Sequence, residues 1–160
     1  MPTIPPRRIL LQRSLPDALT DAVAELDEAG AGWVNVGPAV DEEDLPPPTS
    51  GLGRFFGGTG PAVPHATWVA GGARRDGTRR PSQLGIEHGS GPKAVARLRE
   101  AAVHVPPGWT VRQDHVRRGL VLSVPAGTPA NVLVLFLLDA SATLATVPVG
   151  DRWLADVYTG

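Results

Sequence analysis

The chain has 160 residues, 42% of them apolar and none of them cysteine, so it is long enough to bury a core but can build no disulfide framework and no thiolate metal or redox site. Its net charge of −1 hides an uneven spread, with nine acids against three bases over residues 1–50 and eleven bases against four acids over residues 51–130. Such a division points to an acidic partner or a nucleic acid, or to two regions that complement each other within a monomer or across a dimer. A pI of about 6.4 is too low for a broad basic footprint on nucleic acid.

The opening "MPTIPPRRILLQRSL" has only "ILL" as an apolar core, which does not make a secretory signal. "RRILLQR" reads as a first strand. A helix is expected over 16–29, because Leu19, Ala22, Val23 and Leu26 recur at helical spacing while Asp17, Asp21, Glu25 and Glu28 fall on the other side. "GWVNVGPAV" reads as a strand. Residues 41–61, rich in Pro and Gly, read as a long loop, and Phe55 and Phe56 within it would plug the core, pack on a partner or close over a ligand. A short strand over 66–72 leads to a basic turn with Arg74, Arg75, Arg79 and Arg80.

"QLGIEH" reads as the next strand, followed by a helix over 92–103 that buries Val95, Leu98 and Ala102. "GWTVRQDHV" and "RGLVLSVP" read as strands. Thr128-Pro129 starts a helix through about Ala145, although "VLVLFLL" also fits a buried strand. The apolar run Val132–Val149 contains Asp139 and Pro148 and falls short of the roughly 20 clean apolar residues of a membrane span. "RWLADVY" closes the chain as a strand. These features describe a soluble, cytoplasmic protein with no membrane partner.

Ser14–Val36 lies over Ser90–Arg112 without a gap, matching Ser14 to Ser90, Pro16 to Pro92, Ala18 to Ala94 and Gly32-Trp33 to Gly108-Trp109. The match suggests two copies of one supersecondary unit. The expected fold is a single α+β domain over 1–160: a mixed sheet built from two β-α-β-type repeats, for which a ferredoxin-like pattern is one arrangement, with an extra C-terminal helix and strand. Helices would cover one sheet face. The last helix or a second subunit would cover the other, since an open sheet bearing Val and Leu exposes a large apolar patch. A homodimer is therefore expected.

Two places carry candidate chemistry. Gly89, Ser90, Gly91, Pro92, Lys93 and Ala94 follow a strand, open a helix and match G-x-G-x-x-G/A, with Asp114 twenty residues beyond Ala94. Free N–H groups at a helix start favour an anion, and Lys93 adds a cation. A capped helix after a tight turn explains the same residues more plainly, and the corresponding "RSLPDA" in the first copy has no glycine. His88 and His115 end the strands on either side of this helix, near Asp114, and are the weak candidates for proton transfer. A strand inserted between them would hold them about 10 Å apart, too far to share a metal. Surface or edge histidines are the plainer reading. No metal site and no cofactor are expected.

No family resemblance and no reaction follow from these residues. The leading reading is a small-ligand-binding or protein-interaction domain, homodimeric, whose ligand edge comprises Gly89, Ser90, Gly91, Lys93 and the histidines, with Phe55 and Phe56 as a flap. The alternative is a small enzyme acting on an anionic, phosphorylated substrate at Gly89–Lys93. A nucleic-acid contact through Arg74–Arg80 is disfavoured, since no aromatic residue lies between Gly72 and Trp109 to stack on bases.

Overall fold

The structure is a computed structural model in which residues 4–45 and 60–160 are described. Its elements are strand β1 (Arg7–Gln12), helix α1 (Asp17–Ala29), β2 (Trp33–Pro38), a 3₁₀ turn at Glu42–Asp44, β3 (His65–Val69), β4 (Ser82–Glu87), α2 (Ala94–Glu100), β5 (Thr110–His115), β6 (Gly119–Val124), α3 (Ala130–Thr143) and β7 (Arg152–Tyr158). The seven strands form one sheet in the order β1-β7-β2-β3-β4-β6-β5. The fold is α+β.

The expected mixed sheet is corrected: every neighbouring pair is antiparallel. The reason is insertion. β1 and β2 run parallel across α1, but β7 lies between them. β4 and β5 run parallel across α2, but β6 lies between them. Gly32 and Gly108, matched in the two segments, both take positive φ, 101° and 85°. The tryptophans that follow them do not match in environment. Trp33 stacks on Tyr158, while Trp109 meets Phe136 of α3 edge to face.

Side chains of a strand alternate between the two faces of the sheet, and the buried ones here all fall on one. Leu11, Trp153, Ala155, Val157, Val34, Val36, Ala66, Trp68, Leu84, Ile86, Leu120, Leu122 and Val124 form a single core with Leu19, Val23 and Leu26 of α1, Leu98 of α2, and Leu133, Leu137 and Leu138 of α3. The Trp68 indole N–H donates to Ser82 Oγ at 3.0 Å inside that core. All three helices thus share a face. The apolar run after Thr128 is helical, and instead of covering the opposite face it lies beside α1.

Helix ends follow local chemistry. Gly30 takes the left-handed conformation that closes α1, and its N–H donates to the carbonyls of Leu26 and Asp27. α2 is shorter than the expected 92–103, because Lys93 and Ala102 hold left-handed backbone on either side of it. Gly119 opens β6 with φ 81°, and a Cβ there would lie 2.3 Å from the Ile86 carbonyl oxygen. No described helix is long and apolar enough to cross a membrane.

One-sided burial has a direct test by urea unfolding. Leu122→Ala, at a fully buried position, should lower the unfolding free energy by about 2–5 kcal/mol. Val121→Ala, one residue away on the opposite face, should cost less than about 1 kcal/mol.

Candidate functional site

Around Gly89–Lys93 the structure assembles most of the expected edge, with its groups already engaged. His88 extends the inward row of β4 and is 1% exposed, so it is a buried residue and not a surface one. Its Nδ1 accepts from Ser90 Oγ at 2.9 Å and from the Ser90 N–H at 3.3 Å. An accepting Nδ1 assigns the ring proton to Nε2, which is buried with no hydrogen-bond partner among the described residues. Burial pushes the His88 pKa below its ordinary 6.5; Asp114 opposes that shift and Arg97 adds to it.

The glycines have packing roles. A Cβ on Gly89 would stand 2.7 Å from the Gly60 carbonyl oxygen and 2.9 Å from that of Pro61, where the chain returns from the long loop. Gly91 has φ 96°. The two N–H groups that open α2 are taken. Asp114 on β5 accepts from Ala94 N–H at 2.9 Å and from Val95 N–H at 3.1 Å. The chain's own carboxylate therefore occupies the place an anionic ligand would use. Lys93 is exposed beside it.

His115 does not converge with His88. Its Nδ1 accepts from the N–H groups of Arg117 and Arg118, at 3.1 and 3.2 Å, and ties the β5–β6 turn. β6 separates β5 from β4, which places the two histidines about 10 Å apart. Among the described residues, no three His, Asp or Glu side chains come together as metal ligands. Phe55 and Phe56 lie outside the described residues.

The larger candidate surface is the sheet face that no described element covers, and at its β1-β7-β2-β3 end it is banded. The outer band is Tyr158, Trp33 and Val69 in register, with the two rings stacked at 4.7 Å in nearly parallel planes. The middle band is Arg8, Asp156, Asn35 and Thr67. Arg8 donates to Asp156 through two nitrogens, at 2.8 and 3.2 Å, and Thr67 donates to Asn35 at 2.9 Å. Its guanidinium holds the Asp156 carboxyl below the usual carboxylate range. The third band pairs Leu10 with Leu154, and Leu10 is 78% exposed.

The charge division of the chain is not resolved internally. Among the described residues, one ion pair, Arg79 with Asp27 at 3.9 Å, joins the acidic first fifty residues to the basic middle. Arg74, Arg80 and Arg112 instead line an open cleft at the opposite end of the same sheet face, with Gln83 and Ser123.

No protein-family model, no curated protein and no solved structure matches the chain. The face residues Leu10, Trp33 and Tyr158 were missed in the sequence, although strand alternation sets Leu10 opposite Leu11 and Trp33 opposite Val34. The grouping of Arg112 with Arg74 and Arg80 carries no local signal, because it depends on strand order.

Asp114→Ala should lower stability by about 1–2 kcal/mol through loss of the α2 cap, with faster amide exchange at Ala94 and Val95. For His88 the folded pKa lies below the unfolded one, so acid is taken up first by the unfolded chain. Stability conferred above the unfolded value of 6.5 therefore declines as pH falls below it, at up to about 1.4 kcal/mol per pH unit. Urea midpoints between about pH 7 and pH 5 should show this slope in the wild type and a flatter one in His88→Phe.

Proposed function

We propose that the chain is a protein-interaction domain, that the banded end of its open sheet face is the interface, and that the partner is a second copy. The banding carries this reading. An interface with two-fold symmetry must be complementary to itself. Arg8 and Asp156 stand side by side between two apolar rows, so a two-fold copy can set its Arg8 over Asp156 and its apolar rows against these. Leu10, 78% exposed with Leu154 next to it, gains most from being covered, since burial of a Leu contributes about 1.5–3 kcal/mol.

The two helix-crossing units are read as copies of one supersecondary element. In each, a single antiparallel strand is inserted between two parallel ones, and each has a positive-φ glycine at the matched position before its second strand. The alternative, a small enzyme acting on a phosphorylated substrate at Gly89–Lys93, gains no support from contacts there, because Asp114 holds the helix N–H groups and His88 is sealed in the core.

Sedimentation equilibrium at micromolar concentration should return twice the 16.7 kDa chain mass. Leu10→Glu, at an exposed position on an edge strand, should return a folded monomer. A monomeric wild type would remove the proposal.

A further inference from the structure

The cleft at the other end of the open face points to a ligand of a different kind. Three arginines reach it from two parts of the fold: Arg74 and Arg80 from the β3–β4 connection and Arg112 from β5, with Gln83 and Ser123 paired in register along its floor. The cleft measures about 340 Å³, within the range of small-molecule sites.

The backbone that carries these exposed arginines is held in place by structure. The β3–β4 connection is a braced turn, with Arg74 N–H donating to the Thr78 carbonyl, Arg80 N–H to the Gly72 carbonyl, and Ala73 bridged to Arg79. The Arg79 guanidinium clamps the turn onto the end of α1 through the carbonyls of Asp27 and Glu28. Asp76, the acid of that turn, is occupied by Thr78, accepting from its hydroxyl and its N–H. Arg112 sits at a bulge: Val111 opposes Leu122 and Gln113 opposes Val121, so Arg112 is the extra residue between them, where the strand bends locally.

None of Arg74, Arg80 and Arg112 has an acidic partner among the described residues. Two other clefts of similar size contain carboxylates beside their arginines. One, of about 320 Å³, combines Arg152 with Asp41, Asp44 and Asp151, and the other, of about 350 Å³, combines Arg7 and Arg8 with Asp21 and Glu25. Three guanidinium groups around neutral hydrogen-bonding side chains, with no carboxylate, suit a multiply charged oxyanion, since each guanidinium can hold a phosphate through two parallel hydrogen bonds. We infer that the Arg74–Arg80–Arg112 cleft binds an oligophosphate chain, free or carried by a nucleotide. The site lies on β4, β6 and β5 and shares no residue with the proposed dimer interface, although Gln83 on its floor pairs with Val69 at the interface edge.

The test is isothermal titration of the full chain with inorganic tripolyphosphate and with a nucleoside triphosphate, with sedimentation run in the same buffer to read the oligomeric state separately. Saturable one-to-one binding is expected, weakened about tenfold or more in Arg80→Gln and in Arg112→Gln. It should be unchanged in Arg117→Gln, which removes the same charge at the far end of β5. Equal affinity for the two probes assigns recognition to the phosphate chain alone, and tighter binding of the nucleotide adds a contact to its organic part; both support the site. No binding to either probe overturns it. So does equal weakening in all three variants, which means unspecific charge attraction, and so does binding of a single-stranded oligonucleotide without binding of tripolyphosphate.

Discussion

Every other feature of this molecule depends on the one-sidedness of its sheet. Strand alternation puts the buried apolar side chains of six strands onto a single face, and three helices are enough to cover it. With α3 set beside α1, nothing among the described residues is left for the opposite face. That face must live in water or meet something else, and its composition follows: paired charges, a stacked aromatic pair and small polar residues instead of a second core. The same constraint gives Asp114 its task. It points to the helix side of β5, where the first turn of α2 presents its open donors.

Local pattern was a sound guide to the elements and a poor one to their arrangement. All seven strands and three helices are visible in alternation, helical spacing and the Pro and Gly boundaries. The expected parallel neighbours failed because strand order is decided by pairings between distant segments, here β7 entering between β1 and β2, and no local feature of "RWLADVY" announces its neighbours. The Gly89-Ser90-Gly91 turn shows the same limit. Its first glycine is demanded by the chain passing at Gly60 and Pro61, a contact across nearly thirty residues that looks, in sequence alone, like an invitation to a ligand. His88 was legible as a strand-end residue but not as a buried one, because its cover comes from elsewhere in the chain.

The acidic and basic stretches of the sequence touch, with β2 paired to β3, but among the described residues they exchange little charge. Arg79 does bridge them, and it does so as a brace, locking the β3–β4 turn to the end of α1. The backbone that carries the other arginines of that turn is thereby held in place, with their side chains exposed. A braced backbone without an internal counter-charge lowers the ordering cost of binding an anion.

The placement of β7 also bears on how the chain is made. The seventh strand, β7, is the one that lies between the first strand and the third element, hydrogen-bonded to both. β2 can pair with β3 as soon as that strand is made, but β1, whose neighbour in the sheet is β7, has no strand to join before β7 emerges. Contacts between the two ends of a chain close late and slowly. β1 must therefore wait as an unpaired strand, with Leu10 and Leu11 uncovered by any neighbour, until β7 has been made.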